Sequence, residues 1–330
     1  MQNLQYLLVV LFFFIATPSS IGQDLPNILW ITVEDISPDI GCYGDKKAQT
    51  PVLDKLAESG VLYSRAYVPT PLCRPSLMTL ATGHYAKDHK VTGNDPSPTL
   101  APIPSEEHVE LAKQMVENID RLDTLPRLLA ENGYLTHQSG KWWEGNYKRG
   151  GFTHGMTQGN PGRPGRHGDE GLIIGRETME PIYDFIATAK EEEKPFYIWY
   201  APFLPHTPHN PPERFLEKYS GLGLDPKLAK YYAMCEWFDE TCGQLIDHLE
   251  EKGIRENTLI YYVCDNGWIQ RTADTVVPEG FRRSYAPGSK QSVREGGVRS
   301  PVILSWPGVI TPDIRGDLVS SIDLVPTVLS

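Results

Sequence analysis

The order of apolar runs along the chain most constrains how it can fold. Largely apolar runs at residues 26–33, 196–201, 259–264 and 301–305 are separated by stretches with helical periodicity. Strands that are apolar on both sides fit a parallel sheet with both faces covered, because half-exposed strands alternate apolar and polar residues. Strands alternating with helices therefore predict an α/β fold, with a doubly wound, mostly parallel sheet flanked by helices.

Helical patterns fill the intervals between these runs. Thr50 followed by Pro51 is typical of a helix start, with Thr50 as the N-cap, and Pro75 and Gly83 bracket a second, short helix. The remaining segments are predicted to be helices at 122–132, 177–190 and 225–252, a short strand at 134–138, and long Gly- and Pro-rich loops at 144–171 and 267–300. Such loops usually gather at the carboxyl ends of the strands and carry function.

The first 22 residues differ from the rest in composition. Residues 6–16 form an apolar run that is short for a membrane span but typical of a secretory signal, and small residues follow at 20–22. A buried strand or an uncleaved anchor is the alternative. We therefore expect a signal peptide at 1–22, one domain at 23–330, and a periplasmic or secreted protein without stable membrane insertion.

Charge and cysteine content limit the partners. The formal net charge is −11, so the overall field does not attract nucleic acid, and an anionic substrate would need a local basic or metal site. The five cysteines are an odd number for an exported protein, so at least one thiol is unpaired or chemically used.

Two acid-containing pairs directly follow apolar runs. Glu34 and Asp35 follow the first run, and Asp265 and Asn266 follow the third. Either pair alone is more often a turn former or a helix cap. Their matching positions favour a hard cation, calcium or magnesium, because such ions take several oxygen ligands and no His or Cys cluster has zinc spacing.

Cys73 precedes the short helix bracketed by Pro75 and Gly83. A helix N-terminus stabilises anions, and a thiol placed there is acidified and reactive. A buried, apolar cysteine is the usual alternative. Position alone does not decide between the two.

Three further residues suit the chemistry of a charged ester. Lys141 follows a predicted strand, Lys290 lies in the second long loop, and His206 lies in a Pro-rich loop. A sulfate or phosphate ester needs cationic donors for its oxygens and an acid for its leaving group. Single lysines are usually solvated, whereas His206 near a strand end is more suggestive of a general acid.

Taken in order, these motifs resemble the type I, formylglycine-dependent sulfatases of the alkaline-phosphatase-like superfamily. The resemblance spans roughly residues 25 to 330. It is carried by segments 27–35, 41–44, 50–57, 73–83, 140–142, 205–208, 265–267 and 290–301. Because the family typically adds a small C-terminal sheet subdomain, and the chain stops in an apparent helix at 323–330, we expect a sulfatase catalytic domain without that subdomain.

The resemblance implies a reaction and a site. It implies hydrolysis of sulfate esters of a sulfated carbohydrate, after a formylglycine-generating enzyme has converted Cys73 to formylglycine. Lys141, Lys290 and His206 would bind the sulfate, with His206 as ligand or proton donor. The implied ligands of one calcium ion are position 73 together with Glu34, Asp35, Asp265 and Asn266.

Two positions depart from the family pattern. Leu77 stands where the signature has an Arg that helps maturation, and Trp143 stands where a His that contacts formylglycine is common. Arg74, three residues before Leu77, could lie on a similar helix face and bind substrate. The departures leave conversion of Cys73 open, and two other readings stand: a phosphoester or phosphonate hydrolase, or a catalytically impaired, calcium-dependent binder of sulfated glycans.

Overall fold

The computed structural model describes residues 25–101, 103, 105–160 and 165–330. The expected signal peptide, residues 1–22, lies outside the described residues. Within them the strands are β1 (Asn27–Val33), β2 (Val61–Tyr67), β3 (Leu135–Gly140), β4 (His154–Gly155), β5 (Phe196–Ala201), β6 (Thr258–Cys264), β7 (Val302–Ser305) and β8 (Asp313–Ser320).

The α-helices of the described residues cover both faces of the sheet. They are α1 (Pro51–Glu58), α2 (Cys73–Thr82), α3 (Ala86–His89), α4 (Glu106–Glu117), α5 (Leu125–Glu131), α6 (Glu180–Glu191), α7 (Glu213–Ser220), α8 (Pro226–Glu251), α9 (Glu295–Val298) and α10 (Leu324–Leu329). Short 3₁₀ segments lie at Gly41–Tyr43, Asn118–Arg121, Tyr147–Gly150, Gly165–His167, Asp169–Ile173, Arg255–Asn257 and Ser321–Asp323. None of the helices described is long and apolar enough to cross a membrane.

The eight described strands form one sheet in the order β4-β3-β5-β1-β6-β7-β2-β8. Only β7 runs antiparallel to its neighbours, β6 and β2; the other described neighbours are parallel. The predicted doubly wound, mostly parallel sheet flanked by helices is therefore confirmed. Strands β1, β5, β6 and β7 are buried at every residue, as their apolar runs predicted, and β3, whose sequence has no such run, is fully buried as well.

Strand β1 lies at the centre and supplies both halves of the core. Its alternate side chains point to opposite faces, so Leu29 and Ile31 pack with α1, α6 and α8, whereas Ile28 and Trp30 pack with α2, α5 and α10. The Trp30 ring stacks on Tyr261 of β6 with ring centroids 5.0 Å apart. A fully buried large apolar side chain stabilises a fold by about 1.5–3 kcal/mol, so β1 anchors both layers.

The structure shows how one predicted helix start is capped. Thr50 occupies the N-cap position of α1, but its hydroxyl accepts the N–H of Gly41 at 2.9 Å instead of capping the helix. The first N–H groups of α1 are bound from α8: Asp239 accepts from Val52 at 3.0 Å and from Leu53 at 2.8 Å. Thr50 is therefore the N-cap residue, as predicted, but the side chain that binds the free N–H groups comes from a distant helix.

Outside the two long loops, five strands and α-helices were not predicted from the sequence: β2, β8, α3, α4 and α7. The residues of β2, β8 and α4 show no continuous apolar pattern. Strand β2 is only partly buried, β8 is exposed over its first six residues, and α4 buries no residue. The second long loop contains the short helix α9 and the first contains β4 with 3₁₀ turns.

Candidate active site

The carboxyl ends of four adjacent parallel strands meet at one edge of the sheet. These strands are β3, β5, β1 and β6, in that order. The residues predicted for the site follow them directly or within a few positions: Lys141 after β3, His206 after β5, Glu34 and Asp35 after β1, and Asp265 and Asn266 after β6. Cys73 arrives from the neighbouring half of the sheet, six residues after β2.

Two unusual backbone conformations turn these strand ends into the site. Gly140 has φ +83°, and a Cβ there would lie 1.9 Å from the carbonyl oxygen of Ala201. The glycine lets the chain turn sharply, so that Lys141 donates its N–H to Ala201 at 2.7 Å and buries its side chain fully. Asp35 has φ +53°, which non-glycine residues rarely adopt, and its N–H donates to Oδ1 of Asp265 at 3.1 Å.

Cys73 is the first residue of α2 and is 1% exposed. Lys290 Nζ donates to its sulfur at 2.9 Å. Burial opposes ionisation of the thiol, but the nearby ammonium groups of Lys141 and Lys290 outweigh burial and lower its pKa. The structure thus places the thiol at the start of a helix and beside two ammonium groups, a setting that favours its ionised form.

Four polar side chains here share a pattern: one atom is bonded within the protein and one oxygen is left over. Glu34 Oε2 accepts from Lys141, Asp35 Oδ1 accepts from Lys290 at 2.5 Å, and Asp265 Oδ1 accepts a backbone N–H. Asn266 Nδ2 donates to Asp35 Oδ1 at 2.8 Å. The remaining oxygens are buried without a hydrogen-bond partner among the described residues: Glu34 Oε1, Asp35 Oδ2, Asp265 Oδ2 and Asn266 Oδ1.

The leftover oxygens fit a hard divalent cation. An unsatisfied buried polar atom costs about 1–3 kcal/mol, so four together need a partner. Calcium and magnesium bind through oxygen atoms of this kind. The amide of Asn266 supports this reading, because its nitrogen is engaged with Asp35 and its oxygen is the unbonded atom.

Acidic groups outnumber basic ones in the site: it has three carboxyl groups and two ammonium groups, those of Lys141 and Lys290. Burial and the neighbouring Cys73 raise the pKa of Asp265 to about 8, and burial raises that of Glu34. Burial also opposes ionisation of Asp35, but Lys290 and His206 outweigh it and lower its pKa to about 2. Full ionisation of all three carboxyl groups therefore calls for additional positive charge.

His206 faces the same space. Its Nδ1 lies 2.7 Å from the carbonyl oxygen of Thr207, which can only accept, so Nδ1 carries the proton and Nε2 carries a lone pair. Nε2 lies 3.7 Å from Asp35 Oδ2. Burial, helped by Lys141, lowers the pKa of His206 to about 3. The imidazole is therefore neutral near pH 7 and offers a lone pair, not a proton, to the site.

A second grouping of ligand atoms overlaps the first. Glu34, Cys73 and His206 each present an atom, and the three atoms lie within 4.8 Å of one another. Taken alone, a Cys-His-Glu set suits zinc. The four leftover oxygens weigh more heavily for a hard cation, since Cys73 already accepts from Lys290 and since oxygen-only sets select calcium or magnesium.

Arg74 is engaged away from the thiol. Its Nε and Nη2 each donate to a carboxylate oxygen of Glu144 at 2.7 Å, and its Nη1 donates to the carbonyl of Asn94 at 3.3 Å. Both side chains of the pair are almost fully buried. Leu77, where the resemblance would place an Arg, packs in the apolar core under the sheet. A substrate contact by Arg74 stays a prediction, and it would compete with this ion pair.

Trp143, where the resemblance would place a His, forms an aromatic wall. The Arg166 guanidinium lies 4.5 Å from its ring centroid, and the His167 ring meets it edge-on at 4.4 Å. Lys141 Nζ is 5.7 Å from the Trp143 ring and 5.7 Å from the Phe203 ring. The wall shields the ammonium group from water and strengthens its interactions with charged partners.

The sequence did not single out Glu144, Arg166 or His167. Glu144 is the second residue after the Gly-Lys-Trp segment, and all three lie in the long loop 144–171, for which a function was predicted only as a whole. A carboxylate next to a motif lysine was the available signal for Glu144. Nothing in the loop pattern distinguished Arg166 or His167 from their neighbours.

Comparison with known proteins gives a consistent result. A family model described as Sulfatase matches residues 26–330. Human arylsulfatase A is 29% identical over 352 residues, an alignment that covers 92% of this chain and 63% of the human protein. N-acetylgalactosamine-6-sulfatase of Canis lupus familiaris is 28% identical over 347 residues, covering 92% of this chain and 62% of the canine protein. The chain thus spans less than two thirds of the length of these relatives.

Solved structures agree with the sequence relatives. The crystal structure of Ps i-CgsB superposes with a TM-score of 0.71 at 26% sequence identity, covering 92% of this chain and 71% of that one. The same protein in complex with k-i-k-neocarrahexaose superposes with a TM-score of 0.70 at 25% identity.

Proposed function

The chain belongs to the sulfatase family, and from that membership we propose that the full-length protein hydrolyses sulfate esters of a sulfated carbohydrate. The observation that carries the proposal is the convergence of the Cys73 thiol, Lys141, Lys290 and His206 around four unsatisfied buried oxygens. Support for a carbohydrate comes from the relatives, one named for a sulfated amino sugar and one crystallised with a neocarrahexaose.

The proposed nucleophile is formylglycine at position 73. A formylglycine-generating enzyme would convert Cys73, and the hydrated aldehyde would supply a nucleophilic hydroxyl. Lys290, whose Nζ lies 2.9 Å from the sulfur, would donate to the oxygen that replaces it. The pKa of Lys290 is raised well above its ordinary value, because the gain from Asp35 and Cys73 exceeds the cost of burial, so the amine stays charged.

The proposed cation is calcium, held by Glu34, Asp35, Asp265 and Asn266 through their leftover oxygens. Bound there, it would neutralise sulfate charge and sharpen the nucleophile at position 73. Electrostatics supports this assignment: burial raises the pKa of Glu34 and of Asp265, and a bound cation would offset that effect and favour the ionised carboxylates.

The sulfate group would bind between the two lysines. Lys141 and Lys290 are both charged and buried, so each would hold a sulfate oxygen in a region of low dielectric, where such contacts are strong. His206 would add a contact through Nε2. With Nδ1 donating to the Thr207 carbonyl, Nε2 of the neutral ring accepts, so His206 would protonate a leaving oxygen only after taking up a proton itself.

The decisive experiment uses the full-length protein co-expressed with a formylglycine-generating enzyme. We expect release of 4-nitrophenol from 4-nitrophenyl sulfate, loss of that release in Cys73→Ala, and no loss in Cys42→Ala, a matched control at a half-buried thiol outside the site. The mass of the tryptic peptide containing residue 73 reports conversion. An unmodified thiol together with no turnover would refute the mechanism.

The two other readings are separated by the same experiment. Faster turnover of 4-nitrophenyl phosphate than of the sulfate would indicate a phosphoester hydrolase of the same superfamily. Calcium-dependent binding of a sulfated glycan without release of sulfate would indicate a binder.

We also propose export to the periplasm or the medium. The N-terminal sequence of the mature protein tests whether residues 1–22 are removed.

A further inference from the structure

Two cavities lie beside the candidate site and meet at Gln291. The larger, about 780 Å³, is lined by Leu72 and Gln291, the chain neighbours of Cys73 and Lys290. The smaller, about 360 Å³, includes Lys290 in its wall and shares Arg283 and Gln291 with the larger one. Because Lys290 binds the sulfur of Cys73, a substrate held there can extend directly into this pair of cavities.

The charge of these cavities is opposite to that of the chain. The protein has 42 acidic and 31 basic residues. The described residues that line the two cavities nevertheless include a single carboxylate, Asp95, against five cations: Lys90, Arg166, Arg282, Arg283 and Lys290. Within an acidic protein, a local cationic surface of this kind attracts anions to one place.

The one carboxylate is already neutralised. Arg166 Nε and Nη2 donate to Asp95 at 3.1 and 2.5 Å, while the guanidinium stacks on the Trp143 ring. Lys90 and Arg283 are exposed, and neither forms an ion pair within the part of the chain that the structure describes. Two cations therefore face the larger cavity with their charge uncompensated.

The larger cavity also suits a sugar in size and lining. Its volume falls in the range of small-molecule sites and far exceeds the space that one sulfate group needs. Leu111 and Met115 of α4 add apolar surface to its lining. A pyranose ring presents apolar C–H groups and polar substituents, so it matches a cavity with both kinds of wall.

We propose that the cavity lined by Lys90 and Arg283 binds a second anionic group of the substrate, so the preferred substrate is a multiply charged oligosaccharide. The second group is a sulfate or carboxylate on the sugar next to the one that loses its sulfate. This inference rests on the proposed function, because it extends the same site.

The test compares a polyanion with a single sulfate ester. Sucrose octasulfate is used as an inhibitor of 4-nitrophenyl sulfate hydrolysis by the full-length, formylglycine-bearing enzyme. Each exposed cation–anion contact is worth up to about fivefold in affinity. We expect the double variant Lys90→Gln, Arg283→Gln to raise the ratio of Ki for the polyanion to KM for the small ester about tenfold.

A matched control removes the same charge elsewhere. Lys46 and Lys47 are exposed and lie outside both cavity linings, so Lys46→Gln, Lys47→Gln should change the ratio less than twofold. Added salt should shrink the effect of the cavity variant, because it screens exposed charges. A ratio that moves equally in the two double variants, or in neither, would overturn the proposed subsite.

Failure of the proposed function is distinguishable from failure of this inference. If the enzyme releases no sulfate from the small ester, the function fails. The dissociation constant of sucrose octasulfate, measured by calorimetry on the same protein and the same two double variants, then tests the subsite alone. A tenfold weaker binding confined to the cavity variant supports it, and equal binding refutes it.

Discussion

The Arg74–Glu144 pair should be among the most sensitive points of the fold. The two groups share two hydrogen bonds of 2.7 Å, and their side chains are only 5% and 3% exposed. In Glu144→Gln the amide keeps one acceptor but turns an NH₂ group towards the guanidinium, which leaves a buried charge unpaired. Breaking one partner of a buried ion pair costs about 3–5 kcal/mol. We expect the free energy of unfolding to fall by about that amount.

The paired apolar variant separates charge from packing. Arg74→Met with Glu144→Leu removes both charges and retains much of the volume, so its cost should be under about 2 kcal/mol. The double-mutant cycle would then give a coupling of about 2 kcal/mol or more between the two positions. Urea unfolding followed by tryptophan fluorescence measures each term, with the slope m as a check on two-state behaviour.

The outcome also bears on Arg74 as a substrate contact. A loss below about 1 kcal/mol in Glu144→Gln would contradict the reasoning, because it would mean that the guanidinium finds water or another partner without the carboxylate. If Arg74 contacted the substrate instead, Arg74→Met would raise KM and leave the free energy of unfolding almost unchanged.

Three further predictions concern the backbone, a buried imidazole and the cation. In thermal unfolding, Gly140→Ala should lower the free energy of unfolding by more than about 3 kcal/mol, because the new Cβ would lie 1.9 Å from the carbonyl oxygen of Ala201. The control Gly133→Ala has φ +89° and no atom within 4 Å of the new Cβ, so it should lower that free energy by about 1–2 kcal/mol. Equal losses in the two variants would count against the steric argument. Burial lowers the pKa of His137 to about 3 from 6.5, so its contribution to stability is present above pH 6.5 and is lost, by up to about 1.4 kcal/mol per pH unit, as pH falls from 6.5 towards 3. His137→Phe should flatten the change in unfolding free energy between about pH 7 and about pH 5, and an unchanged slope would refute this. Calcium added after chelation should raise Tm in the wild type but not in Asp265→Ala. An equal rise in both would refute the assignment of the leftover oxygens as calcium ligands.

The sheet and the acids of the site were predictable from local patterns. A strand buried on both faces shows as an apolar run, and the residue after such a run lies at the carboxyl end of the sheet. Glu34, Asp35, Asp265 and Asn266 could therefore be placed on one edge before any contact was known. Cys73 could be placed at a helix terminus because Pro75 and Gly83 bracket the helix, whereas its contact with Lys290 joins residues distant in sequence.

The remaining contacts depend on tertiary packing that no local pattern carries. Asp239 caps α1 from α8, and Glu144 neutralises Arg74 across the site. Strand β8 is exposed along most of its length, so its residues have no apolar periodicity to detect. These elements are set by partners far along the chain, whereas a sequence pattern reports only what its own residues bury.

The central position of β1 has a consequence for the order in which the protein assembles. Contacts of the site join residues far apart in the chain: Lys141 to Glu34 over 107 positions, Lys290 to Cys73 over 217, and Asp35 to Asp265 over 230. Closing loops of this length is slow, and β1 can pair with β5 and β6 only after those later segments have been synthesised. The leftover oxygens of Glu34, Asp35, Asp265 and Asn266 meet only after those loops have closed. If the proposed cation binds them, it should slow unfolding and leave the folding rate nearly unchanged, which would make it a determinant of the protein's lifetime in its folded form.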